Sequence, residues 1–248
     1  MQDLPRIFVG TLACGEAEFD ECCQAIQNQK NVLVTHHVIR DQPEYEAHNM
    51  LWQAWNDQKG SHDLFVKIDA DTVLMRDTAL ADIVALFQNP DVTGAQILMQ
   101  DYFTDDLIAG LNAFSTAVVF RKSKRKLFAD HADTGHKMVL KGDVVRHLAP
   151  IAWHGKNPTA RQAFHFGFHR QMKRQKQVLR RVAIAWLKHR DAARGWALAG
   201  AASVKWWNFG GRGYAAKNFA KSFLSLEDTR LREGAVLKFI HGQYGDLV

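Results

Sequence analysis

The stretch "LFVKIDADTVL", Leu64 to Leu74, decides the fold. It runs apolar residues into two aspartates one residue apart, Asp69 and Asp71. A short apolar run of this kind reads as a buried strand. Carboxylates at i and i+2 just past its end can both turn toward one site, because the chain leaves the ladder there. Hard oxygen ligands suit Mg2+ or Mn2+, which commonly take one or two carboxylates plus substrate phosphates. The same letters also suit a phosphatase, in which Asp69 attacks phosphate and Asp71 moves a proton. The order of elements around the pair separates the two chemistries.

Upstream, "RIFVG" (6–10) reads as a first strand, followed by a helix from about Glu16 to Gln29 with Phe19, Cys22, Cys23 and Ile26 on one face. "NVLVTHHVI" (31–39) is rich in β-branched residues and reads as a second strand. A second helix opens near Asp41 and Pro43 and stops at Gly60, with Ala47, Leu51, Ala54 and Trp55 as its buried stripe. After the third strand, "DTALADIVALFQNP" (77–90) reads as a helix capped by Asp77, and "DVTGAQILM" (91–99) as a fourth strand. Strands alternating with helices imply right-handed crossovers and a Rossmann-like, mainly parallel α/β sheet flanked by helices. Ligands of such sheets bind outside the carboxyl ends of the strands. Asp69 and Asp71 sit at one such end.

Beyond residue 100 the pattern loosens. "NAFSTAVVFRKS" (112–123) reads as another strand, and "DVVRHLAPIAWHG" (143–155) as a strand or short helix. Phe164, Phe168, Met172, Leu179, Val182 and Trp186 predict one long helix from Arg161 to Lys188. Gly-Gly-Arg-Gly at 210–213 interrupts any helix there. The expected organisation is a catalytic core over 1–158 and a basic, mainly helical C-terminal region over 159–248 packing on it.

With 248 residues and 47% hydrophobic content, the chain can bury one large core. It has no apolar run long enough to span a bilayer and no visible secretory signal, so a cytoplasmic protein is expected. Cys14, Cys22 and Cys23 lack metal-ligand spacing and read as reduced thiols. The net charge of +6 hides a division: residues 1–120 carry 6 basic and 18 acidic residues, and residues 121–248 carry 26 and 8. A field divided in this way is information about partners and points the second half toward something anionic.

Three pieces, "RIFVGTLACGE", "VTHHVIRDQPEYEAHNMLWQAW" and "LFVKIDADTVL", stand in the order of first strand and nucleotide loop, second strand and helix, then Asp-x-Asp. Over residues 6 to about 120 the chain resembles a nucleotide-sugar-dependent glycosyltransferase of the A-type fold, similar to the family 2 group. The resemblance implies transfer of a sugar from a nucleoside-diphosphate sugar to a glycan or lipid-linked acceptor, in cell-surface polysaccharide assembly, with Mn2+ or Mg2+. It implies that Thr11, Leu12 and Glu16 border the nucleotide and that Asp41 approaches the base or ribose. Asp69 would face ribose and metal, and Asp71 would ligate the metal directly. Enzymes of this fold often add a late histidine to the metal, and His154 in "IAWHGKNP" is the candidate, with Lys156 meeting the diphosphate. An inverting enzyme also needs a carboxylate base. Asp133 is the first choice and Asp101 the second, from a set that includes Asp105, Asp106 and Asp130.

Two rivals stand beside that resemblance. "DADTVL" also resembles the haloacid-dehalogenase phosphatase pattern with Asp69 as nucleophile, and Lys141 and Asp143 would serve it. No second acid follows Asp143 within five residues, and two strand–helix units precede a strand that normally opens that domain. A nucleic-acid-binding module would use the basic half, but no nucleic-acid motif occurs and the acidic half repels phosphate, so no nucleic acid is expected. Arg170 or Lys173 in "FHFGFHRQMKR" would grip an anionic acceptor or diphosphate if they are not simply solvated. The run "RKSKRK" (121–126) offers a peripheral contact with anionic membrane at the inner face, each basic residue adding roughly 1 kcal/mol. Trp196, Trp206 and Trp207 would suit such an interface, although core packing is the commoner use.

Overall fold

Strand β1 (Arg6–Ala13) buries both of its faces: Ile7 and Val9 point to one side of the sheet and Phe8 to the other. That double burial is why the segment reads as a continuous apolar run and not as an alternation. The computed structural model describes residues 3–123, 133–205 and 217–247. Two compact units make up the chain, Met1–Asp101 with Asp106–Lys156, and Tyr102–Asp105 with Asn157–Val248.

In the first unit β1 is followed by α1 (Phe19–Gln27), β2 (Leu33–Arg40), α2 (Glu44–Gln58), β3 (Leu64–Lys67), β4 (Thr72–Leu74) and α3 (Ala79–Ala85). Then come β5 (Val92–Asp101), β6 (Asp106–Ser115), β7 (Val119–Phe120), β8 (Asp133–Thr134), β9 (Met138–Leu140) and β10 (Ala152–His154). The main sheet runs β2-β1-β3-β6-β5-β10-β4, with β9 added beside β5; β7 and β8 form a separate ribbon. β1 pairs in parallel with β2 and β3, and β5 with β9 and β10. β6 is antiparallel to both β3 and β5. β5 and β6 are therefore a hairpin and not a crossover pair. Four residues separate them, Tyr102–Asp105, whereas a parallel return needs about a dozen. Asp105 takes the left-handed conformation (φ 56°) that closes the turn.

Two apolar layers cover the sheet. On one face Ile7, Val9, Val66, Ile97 and Leu111 pack with Cys22 and Ile26 of α1 and Leu80 and Ile83 of α3. On the other, Phe8 and Phe65 pack with Leu51, Trp52 and Trp55 of α2. Trp55 stacks on Phe65 at 5.3 Å and Trp52 on Phe120 at 4.3 Å, geometry in which aromatic pairs add to their area burial. The expected cap Asp77 does not cap α3. Thr78 holds that position, and the Asp77 carboxylate lies 2.6 Å from Lys30 Nζ.

The second unit holds α4 (Ala160–Met172), α5 (Lys176–His189), α6 (Ala192–Ala202), α7 (Lys217–Leu224) and α8 (Thr229–Gln243). The long helix predicted over 161–188 is broken after Met172. Arg174 adopts φ 56°, and the Gln175 N–H donates to the Arg170 carbonyl at 2.9 Å. Between Met172 and Leu179 no residue is buried, so no core contact requires the two helices to run on as one. Gly167 and Gly200 let α4 and α6 touch backbone to backbone: a Cβ at Gly167 would lie 1.6 Å from the Ala197 carbonyl oxygen. Trp196 is a core residue, tilted against Phe223 at 4.8 Å. The Tyr102–Asp105 turn is bound within this unit by Arg194, whose guanidinium donates to the carbonyls of Tyr102 and Phe103. Residues 124–126 of the basic run, Asp130, Trp206, Trp207 and the glycines of 210–213 lie outside the described residues. Among the described residues no helix is long and apolar enough to cross a membrane.

Candidate functional site

β3 stays paired through Lys67, and the Ile68 N–H extends the ladder to the Gly10 carbonyl at 3.1 Å. The chain then turns. The Thr72 N–H donates to the Asp69 carbonyl at 2.9 Å, closing a tight turn from which both carboxylates project. Ala70, between them, is buried with Ala13 and Phe19. From Thr72 the chain re-enters the sheet as β4, where Thr72 stands opposite His154 of β10. On the other edge of β10, His154 stands opposite Asp101 of β5. Register across three strands therefore aligns Asp101, His154 and Thr72. The Gly155 N–H donates to the Asp71 carbonyl at 2.9 Å and ties the end of β10 to the aspartate turn.

Asp71 Oδ2 lies 3.5 Å from His154 Nε2, and Asp101 Oδ1 lies 2.6 Å from His154 Nδ1. Asp69 has a different partner: its Oδ1 takes the ammonium of Lys67, a side chain only 10% exposed. A buried lysine requires such a counter-charge. The two aspartates are driven apart electrostatically. Burial raises the Asp69 carboxyl, but Lys67 outweighs it, with help from His48 and His154, and the net shift is downward. For Asp71 burial again raises the carboxyl, His154 opposes it, and Asp69, Glu16 and Glu18 reinforce it, so the net shift is upward. Asp69 thus carries its neutralising charge within the fold, while Asp71, raised chiefly by burial, has only the His154 ring to offset it.

A carboxylate beside an imidazole could hold a divalent cation such as Mn2+. Two ligand atoms at right angles and roughly 2.1 Å from one ion lie about 3 Å apart, close to the separation of Asp71 and His154. Among the described residues no group of three His, Cys, Asp or Glu could hold an ion alone. A two-ligand site completed by phosphate oxygens and water is the habit of these hard cations. Thiolate chemistry is disfavoured: burial and Glu16 push the Cys14 thiol up to about 12, and burial with Cys23 and Asp71 raises Cys22 further.

The other expected residues fall into two groups. Glu16 and Asp41 line one cleft of about 140 Å³ with Gly15, Phe19, Asp20 and Arg40. Asp41 holds φ 54° there, its N–H donating to the Ala13 carbonyl at 2.9 Å, and the Arg40 guanidinium lies 4.2 Å over the Phe19 ring. Glu16 folds back to accept from the Cys14 N–H at 2.7 Å. Thr11, by contrast, is wholly buried and bonds His36 at 3.0 Å, so its side chain serves the sheet and not a nucleotide. Leu12 packs against the aromatic layer beside α2. Lys156 is paired with Glu21 of α1 at 2.8 Å.

Both choices of catalytic base need correction. Asp101 is wholly buried and engaged by His154, whereas a base must reach a substrate hydroxyl. Asp133 bonds His136 at 2.6 Å, and that ring lies against Phe114, which pairs with Phe65. Phe65 is four residues upstream of Asp69, roughly 13 Å of strand, so Asp133 belongs to the opposite end of the sheet. For the phosphatase, Asp143 is solvent-exposed beside Arg146. Of the helix residues offered for an anionic acceptor, Arg170 is stacked over Phe166 and bonded to Gln175. Lys67 and the buried Glu18 were missed in the sequence. A lysine inside "LFVKI" was the available signal, since a charge in a buried strand demands a partner.

No protein-family model and no curated protein matches the sequence. Among solved structures the chain is similar to the mannosyltransferase PcManGT from Pyrobaculum calidifontis in complex with GDP-Man and Mn2+, at 14% identity and a TM-score of 0.43, over 98% of this chain and 86% of that one. It is also similar to A197 from STIV, at 10% identity and a TM-score of 0.34, over 44% of this chain and 64% of that one. A glycosyltransferase involved in the glycosylation of the major capsid of PBCV-1 matches at 11% identity and a TM-score of 0.33, over 45% of this chain and 60% of that one. Likeness at this level assigns no activity.

Proposed function

We propose that the chain is a metal-dependent glycosyltransferase that moves a sugar from a nucleoside-diphosphate sugar to an acceptor hydroxyl. The observation that carries this is the unequal treatment of two adjacent carboxylates: Asp69 neutralised by Lys67, Asp71 facing His154 at 3.5 Å. A phosphatase would need a further acid beside Asp69, and the candidate Asp143 is solvent-exposed and paired with Arg146. Asp71 and His154 would hold Mn2+ or Mg2+, which when bound supplies Lewis-acid stabilisation of the departing diphosphate. Lys67 keeps Asp69 ionised and aimed, so that it can accept a hydrogen bond from a ribose hydroxyl. Asp41 and Glu16 offer acceptors for a base in the cleft walled by Phe19 and Arg40.

GDP-mannose, bound by the mannosyltransferase named above, is the first donor to try, with Mn2+ the first metal. The second unit carries 17 basic against 5 acidic residues over 157–248, which suits an anionic glycan or lipid-linked acceptor and a peripheral place at the inner face of a membrane. The test is release of nucleoside diphosphate from a panel of nucleotide sugars with Mn2+, with Mg2+ and with chelator. Metal-dependent release from one donor is expected. A phosphorylated Asp69, trapped from a phosphomonoester, would sink the proposal.

A further inference from the structure

We infer that Asp101 is a positioning residue that holds Nδ1 of His154 as its protonated nitrogen and so aims Nε2 toward Asp71 as the nitrogen that would meet a metal. This deepens the metal-site reading above and rests on it. Three observations carry it. The Asp101 carboxylate is wholly buried and lies 2.6 Å from Nδ1, the short distance of a charge-assisted bond. A carboxylate at that distance accepts the Nδ1–H, which leaves Nε2 as the nitrogen able to bind a metal once it is unprotonated. On the opposite side, Nε2 stands 3.5 Å from Asp71 Oδ2, too far for an N–H donor bond. A metal held between Asp71 and His154 would take that nitrogen.

The backbone fixes the arrangement. β10 lies between β5 and β4, so His154 is held in register with Asp101 on one edge and Thr72 on the other. The opposite assignment has a protonated Asp101 donating to Nδ1 and an Nε2–H aimed at Asp71. That would replace a ligand by a donor and make a poor bond at the observed distance. Carboxylate partners of this kind orient metal-binding histidines and increase their basicity, and losing one typically costs 10–100-fold in metal affinity.

Two measurements on the full chain test the inference. Two-bond 15N–1H spectra of 15N-histidine-labelled, metal-free protein, with His154 assigned through His154→Gln, report the tautomer directly. With the ring titrated to its neutral form, the Nδ1–H tautomer is expected, and a neutral Nε2–H form overturns the inference. Mn2+ titration followed by electron paramagnetic resonance, without nucleotide, should show Asp101→Asn binding about 10–100-fold more weakly than the parent with an unchanged circular dichroism spectrum. Parent-like affinity in the variant overturns it equally. The tautomer requires neither metal nor the Asp101 variant, so it judges Asp101 even where Asp101→Asn does not fold. A parent chain that binds no Mn2+ would sink the metal-site reading while the tautomer still decided the role of Asp101.

Discussion

His154 bridges two carboxylates of unlike status: its Nε2 faces Asp71 at 3.5 Å, and its Nδ1 is held by the buried Asp101 at 2.6 Å. One strand register makes both contacts, because β10 lies between β4 and β5. Replacing Asp71 by Asn keeps the shape of the turn and removes the charge. Mn2+ affinity should fall by more than the roughly 100-fold ceiling of an outer partner, since a ligand itself is lost. Calorimetric titration with Mn2+ measures it, and parent-like affinity would remove Asp71 from the site.

Lys67 and Asp69 form a pair in which one side chain is 10% and the other 49% exposed. Breaking a fully buried pair costs about 3–5 kcal/mol, and half-exposure of the carboxylate screens that. Lys67→Met should therefore lose about 1–2 kcal/mol in denaturant unfolding, less than the buried-pair value. The double variant Lys67→Met/Asp69→Asn should recover part of the loss. Simple addition of the two single effects would show that the pair does not couple.

Packing between α4 and α6 depends on two hydrogens. A Cβ at Gly167 would meet the Ala197 carbonyl oxygen at 1.6 Å, and one at Gly200 the Phe164 carbonyl oxygen at 2.0 Å. Neither obstacle is a side chain that can rotate aside. Gly167→Ala and Gly200→Ala should each cost about 3 kcal/mol or more, read as a lower Tm, despite the better helix propensity of alanine.

His165 of α4 supplies a pH dependence. Burial, reinforced by Arg161, lowers its folded pKa to about 3 from an ordinary value near 6.5. Its neutral form is the one the fold accepts, so the unfolded chain binds the extra proton. Stability is full above about pH 6.5 and is lost progressively as pH falls toward 3. His165→Phe should flatten the unfolding midpoint over that window, and an equally steep profile would assign the acid sensitivity elsewhere.

The aspartate turn was legible because its strand is apolar through Val66, and because two strand–helix units precede it. Both are local patterns that hydrophobic burial writes directly into the letters. His154 was found through Gly155 and the apolar segment before it. Its partner was not. Asp101 and His154 are 53 residues apart, and they meet through a β5–β10 register that no nearby residue records. Asp133 looked suitable as a downstream acid, yet chain order says nothing about which end of a sheet a side chain occupies. The β5–β6 hairpin was missed because its turn, "YFTD", carries no glycine or proline; Asp105 takes the left-handed conformation instead. The break at Arg174 hid in the same way, inside a basic run with helical spacing on either side.

The most direct test of the central claim is thermal unfolding with a panel of nucleoside diphosphates, with and without Mn2+, on the parent and Asp71→Asn. A ligand at 100 times its Kd adds about 2.7 kcal/mol to the native state, a shift of several degrees. At least one nucleoside diphosphate should raise the Tm of the parent only when Mn2+ is present, and Asp71→Asn should abolish the rise. An unchanged Tm across the whole panel, or a full shift retained by Asp71→Asn, would contradict the account.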